Sequence, residues 1–107
     1  MRWGVIVKPN DKKAKRIAEE LYHFLREKKE DVYFEKGSSE QIGMGQGFSL
    51  KELNKSIDIA VTIGGDGTIL FALREIDKPI FAINSSAVGF LTEADGKTAK
   101  SGLGRIL

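Results

Sequence analysis

The residues best suited to chemistry in this 107-residue chain are Gly64-Gly65-Asp66-Gly67-Thr68. Three glycines surround one carboxylate, directly after an apolar run, Ile57 to Ile63. Each glycine sacrifices chain entropy on folding, so three together need a reason. Glycine supplies a backbone free of Cβ, which a ligand can approach closely. Successive N–H groups in such a turn form an anion-binding concavity, and a helix starting near Thr68 adds the positive end of its dipole. Phosphate is the natural occupant. Asp66 complicates a pure anion cradle, because its charge repels phosphate. Either Mg²⁺ bridges the two charges, or the carboxylate faces a substrate hydroxyl and takes its proton during phosphoryl transfer. A third reading is purely structural: Asp66 or Thr68 caps the helix, and the glycines only make a tight turn. No GxxxxGK[ST] or early GxGxxG pattern is present, which argues against the P-loop class and a dinucleotide fingerprint after the first strand.

Positioning this turn requires an alternation of strands and helices. Trp3 to Val7 is short, apolar and β-branched, as in a buried strand. Asn10 or Asp11 can cap a helix whose inner face carries Ala14, Ile17, Ala18, Leu21 and Leu25, with Tyr22 and Phe24 beside them. Asp31 to Phe34 reads as a second strand. Glu35 to about Phe48, with Gly37, Gly43, Gly45 and Gly47, reads as a mobile surface segment rather than a binding loop. Ser49, with Glu52 three residues on, is a capping box for one helical turn. Ile57 to Ile63 is apolar at nearly every position, as in a central parallel strand. Ile69, Leu70, Leu73 and Ile76 follow as a helix that ends by Lys78-Pro79, and Ile80 to Ile83 is another buried strand. Val88 to Leu91 reads as a further short extended piece. Four strands with intervening helices predict an α/β fold with an open, mainly parallel sheet and right-handed crossovers. Ligands in such sheets bind beyond the carboxyl ends of strands. That gathers Lys8–Asp11, Gly64–Thr68 and Asn84–Ala87 into one crevice.

Composition narrows the alternatives. Seventeen basic and 15 acidic residues leave a net charge of +2, too little for a general nucleic-acid or membrane-surface binder. Zero cysteines exclude disulfides, thiolate metal sites and cysteine nucleophiles. No apolar run approaches a membrane span, and the opening residues turn polar too soon for a signal peptide. A cytoplasmic domain is the expectation. His23, the single histidine, lies among polar neighbours and reads as a surface residue. No cluster has zinc-ligand spacing.

Val61 to Leu70, with its GGDGT core, resembles the NAD kinases. Diacylglycerol and sphingosine kinases share that core, and phosphofructokinases carry a close version. Ala82 to Glu93 narrows the resemblance, being similar to the segment G-[IV]-N-x-G-x-[LV]-G-F-L-T-E of NAD kinases, and Gly4 to Asn10 is similar to the first strand and loop of archaeal-type members. The resemblance implies a Rossmann-like sheet flanked by helices. It also implies transfer of a phosphoryl group from ATP or polyphosphate to the adenosine 2′-hydroxyl of NAD, giving NADP, with Mg²⁺ or another divalent cation required. Asp66 matches the aspartate that contacts or deprotonates the hydroxyl, and Gly67 its neighbour at the dinucleotide. Gly64, Gly65 and Thr68 match the phosphate-facing turn. Asn84 matches a strand-end Asn suited to stabilising a turn, and Phe90 an aromatic at the dinucleotide or, equally, a core Phe. The implied partners are NAD and ATP in a homo-oligomeric parent, without nucleic acid or membrane, and no residue is assigned as a metal ligand.

Ser86 and Ala82 depart from family glycines, and Phe71 from a frequent Arg. The family's C-terminal all-β domain is missing from the 107 residues, so residues 1–107 are expected to form a single nucleotide-binding domain, a fragment or shortened product. A lipid-type kinase domain and a non-catalytic nucleotide- or phosphate-binding module are the alternatives.

Overall fold

The computed structural model describes residues 1–85. Five parallel strands form one sheet, interleaved with four helices. In chain order these are β1 (Arg2–Val7), α1 (Lys12–Glu27), β2 (Asp31–Glu35), α2 (Lys36–Ile42), β3 (Gly47–Phe48), α3 (Leu50–Ser56), β4 (Ile59–Gly64), α4 (Asp66–Leu73) and β5 (Ile80–Asn84). The spatial order is β3-β2-β1-β4-β5. The chain therefore runs outward from β1 in one direction, then returns to β1's other side through β4. The carboxyl ends of β1 and β4 flank the place where strand order reverses, and that is where open α/β sheets bind ligands.

The two central strands are apolar on both faces because both are covered. On one face Trp3, Val5, Val61, Ile63 and Phe34 pack against Ala14, Ile17, Ala18, Leu21 and Leu25 of α1 and Ile42 of α2. On the other, Ile6 and Ala60 pack against Leu53, Ile57, Ala72 and Ile76. The period-2 alternation of β1 and β4 thus feeds two cores, one for each helical layer. Trp3 is fully buried and donates its indole N–H to Glu30 Oε1 at 3.0 Å, so the one polar atom of the ring is satisfied. Asp11 caps α1 by accepting from Ala14 N–H at 2.9 Å, and Ser49 with Glu52 forms the full capping box of α3.

Two expectations need correction. The segment from Glu35 to Phe48 is not a mobile loop: it contains α2 and β3, which pairs with β2 at Phe34↔Gly47 and Glu35↔Phe48. Gly37, Ser38 and Ser39 are weak helix formers. Three contacts offset that weakness. The Glu35 side chain accepts from the N–H groups of Gly37 (2.8 Å) and Ser38 (3.0 Å). Buried Ser38 Oγ accepts from Val7 N–H at 2.8 Å, and Gly43, at φ 74°, ends the helix in the left-handed conformation. The second correction concerns α4, which ends at Leu73 rather than running toward Pro79. Only Thr68 and Ala72 of α4 are buried, and Leu70 (66% exposed) and Leu73 (57%) face outward. The expected strand at Val88–Leu91 lies outside the described residues.

Candidate functional site

The site is built where β4 stops. Gly64, the last residue of β4, is buried, and a Cβ there would collide with Thr68 Oγ1 and approach Lys8 Cβ to 2.8 Å. Close packing of strand, turn and β1 loop therefore requires glycine at 64. Gly65 is extended (φ −132°, ψ −157°) and occupies the N-cap position, so α4 begins without a side-chain cap. Asp66 is the first helical residue rather than the cap. This overturns the structural reading in which Asp66 or Thr68 serves as cap. As the first two residues of α4, Asp66 and Gly67 carry N–H groups that precede any intrahelical acceptor. Thr68 N–H already bonds Gly65 O at 3.1 Å.

Asp66 is exposed, and its carboxylate makes no hydrogen bond or ion pair among the described residues. Gly67 is also exposed, and a Cβ added there would meet nothing within 4 Å. The fold alone does not demand glycine at 67, in contrast to 64. A small molecule approaching the helix end would supply that demand.

Asn84 pairs with Gly64 in register across β4 and β5. Gly64, Gly65, Asp66 and Asn84, with Ile69 and Ala82 as an apolar wall, line a pocket of about 80 Å³. That volume suits a phosphate- or hydroxyl-bearing end group, being well below the ~300–1,000 Å³ of sites that enclose whole small molecules. Of the residues singled out from sequence, Gly64, Gly65, Asp66 and Asn84 meet at this pocket. Gly67 stands beside it on the exposed helix end. Thr68 is buried behind Gly64, supporting the turn from below. Phe90 lies outside the described residues.

The three loops expected in one crevice do meet there, as far as residue 85. Lys8 N–H donates to Ile63 O and Ser85 N–H to Gly64 O, each at 2.9 Å. Ser85 Oγ donates to Asp11 Oδ2 at 2.8 Å, joining the start of α1 to the end of β5. Burial opposes the Asp11 charge, but the Ala14 N–H, the Ser85 hydroxyl and nearby Lys8 outweigh it and hold the carboxyl below its usual range. Sequence reasoning read Asp11 as a helix cap on a loop at the crevice, without a partner for its second oxygen. Its second oxygen's partner is 74 residues away, and no local pattern marks it. Ser86 and Ala87 lie outside the described residues.

A parallel sheet covered on both faces, with a glycine-rich strand-to-helix turn at its switch point, defines a doubly wound α/β protein. The chain belongs to the NAD kinase family: the model of the ATP-NAD kinase N-terminal domain matches residues 3–107. It is similar to the NAD kinase of Chlorobium phaeobacteroides (35% identity over 94 residues, 87% of this chain and 33% of that protein). It is also similar to the NAD kinases of Solibacter usitatus (37% over 92 residues, 83% and 32%) and Photorhabdus laumondii (34% over 109 residues, 97% and 37%). The chain spans about a third of the length of these curated relatives. Among the described residues no helix is long and apolar enough to cross a membrane.

Proposed function

We propose that this chain is the nucleotide-binding α/β domain of a cytoplasmic NAD kinase, transferring a phosphoryl group from ATP or polyphosphate to the adenosine 2′-hydroxyl of NAD. The observation that carries the reading is the exposed Asp66 on the first turn of α4, without a side-chain partner among the described residues, at a helix start that has no side-chain cap and that lines one pocket with Asn84. The relatives' shared name supports NAD over a lipid as acceptor.

In this reading Asp66 accepts the 2′-hydroxyl proton as the new O–P bond forms and the bond to the donor's leaving oxygen breaks. The N–H groups of Asp66 and Gly67 steady phosphate oxygens, and Asn84 lines the pocket's far side. Catalysis is by positioning and charge stabilisation, with no covalent intermediate. Among the described residues no three His, Asp or Glu side chains gather as a resident metal cage. A Mg²⁺ ion needs no such cage, because it keeps several waters and would be held here chiefly by substrate phosphates beside Asp66. When bound, that ion neutralises charge on the transferring phosphoryl group. The same proposal takes residues 1–107 as one domain of a homo-oligomeric parent.

The test is NADP formation from NAD with ATP, and separately with polyphosphate, beside calorimetry with NAD. Turnover that disappears in Asp66→Asn supports the reading. NAD binding without NADP formation favours a non-catalytic binding module, and phosphorylation of a lipid in preference to NAD refutes it.

A further inference from the structure

Asp11 is anchored far more firmly than helix capping requires. Asn10 precedes it at φ 58°, a left-handed conformation that Asn tolerates better than most residues. Its own carbonyl accepts from Gln41 Nε2 at 3.4 Å, and its Oδ1 from Ala14 N–H at 2.9 Å. With the backbone so held, Oδ2 is directed at Ser85, 2.8 Å away. Ser85 is only 2% exposed, and its N–H bonds Gly64 O at 2.9 Å. Ser85 is therefore clamped on two sides, by the loop after β1 and by the last residue of β4. Asn84 lies immediately before it, opposite Gly64.

We infer that Asp11 is a positioning residue for the dinucleotide site: through Ser85 it fixes the end of β5, and so sets the separation between Asn84 and the Gly64–Asp66 turn. The inference rests on the proposed NAD-binding reading. A charge-assisted hydrogen bond in a partly buried setting is among the stronger polar contacts. The strand-end pair Gly64↔Asn84 has no further ladder partner on the open side of β5 among the described residues. Without the clamp, the edge strand frays from its carboxyl end and the pocket widens. Asp11 does no chemistry itself, and its side chain does not line the pocket.

Ser85→Ala separates the clamp from the cap, because it removes the bond to Oδ2 and leaves Oδ1 on Ala14. In the full 107-residue chain, amide exchange at residue 85 should quicken about tenfold while Ala14 stays protected, and NAD should bind about tenfold more weakly by calorimetry. The melting temperature should stay close to wild type. Asp11→Ala should loosen both sites. Asp11→Asn should restore NAD affinity, since its amide keeps an oxygen for Ala14 and turns an N–H₂ toward the Ser85 hydroxyl. Unchanged exchange at residue 85 in Ser85→Ala removes the clamp. Faster exchange with unchanged NAD affinity removes the positioning role. A wild-type chain that binds no NAD sinks the functional reading and the role built on it, while exchange still reports whether Asp11 holds β5.

Discussion

The turns after β2 and β4 occupy the same place in two strand-to-helix units of the chain, yet they treat their polar groups oppositely. After β2, the turn's polar groups are engaged by the chain itself: Glu35 accepts from two α2 N–H groups and from Ser38 Oγ, and Ser38 Oγ accepts from Val7 N–H. After β4, Gly65 caps nothing with a side chain, Asp66 extends outward, and Gly67 faces open space. A helix N-terminus whose donors are satisfied by its own chain is scaffold. One whose donors are left open beside a lone carboxylate is available to a ligand. The sheet edge thus holds a closed turn and an open turn, and only the open one lies at the switch point.

The contrast can be broken most severely at Asp66. Asp66→Asn should reduce NADP formation by about 10²–10⁴-fold, the usual worth of a positioned general base, with stability moved by no more than ~0.5 kcal/mol. Urea unfolding beside a turnover assay checks both halves, and turnover at the wild-type rate would take the base role away from Asp66. Glu35→Ala should do the reverse. It removes a cap and leaves buried Ser38 short of a partner, costing about 2 kcal/mol of stability, while NAD affinity holds. A parallel loss of affinity would show that the closed turn also serves the ligand.

A smaller effect, and a sharper one, is expected at Gly67. It is helical, its φ is not positive, and its Cβ position is empty, so Gly67→Ala should raise stability by ~0.5–1 kcal/mol. The added methyl should weaken nucleotide binding, because it fills the face where a ligand would approach. Calorimetry showing intact affinity would place the ligand elsewhere.

The smallest effect concerns a paired carboxylate at the opposite end of the sheet. The Arg2 guanidinium and backbone N–H hold the Asp58 carboxyl below its ordinary value of 3.8. A lowered folded value stabilises the protein above the unfolded value, and that contribution disappears as pH falls through the folded one. Asp58→Asn should therefore melt slightly below wild type at pH 7, with the gap closing below about pH 3.8. Thermal melts across that range check the sign. The pair is solvent-exposed, so the shift is small and shrinks with added salt.

The local sequence determined those features whose causes are local. A short apolar run rich in β-branched residues reads as a strand covered on both sides, which made β4 and β1 legible. Ser49 with Glu52 announces a helix start, and three glycines around Asp66 announce an open turn. Tertiary structure decided what depends on distant partners. Lys36 to Ile42 has a loop's composition, and it is helical because Glu35 and the end of β1 supply bonds that sequence spacing does not reveal. Gly43, as a left-handed helix terminator, was the one local hint. Leu70, Leu73 and Ile76 fit one helical pattern, but only the packed sheet shows that Ile76 is buried with Ala72 while Leu70 and Leu73 face outward. The Asp11–Ser85 bond spans 74 residues and exists because strand order places β1 and β5 on either side of β4. Periodicity and capping act over a few residues, so a chain displays them in its letters. Contacts between loops are fixed by how the strands are ordered, and that order belongs to the folded sheet.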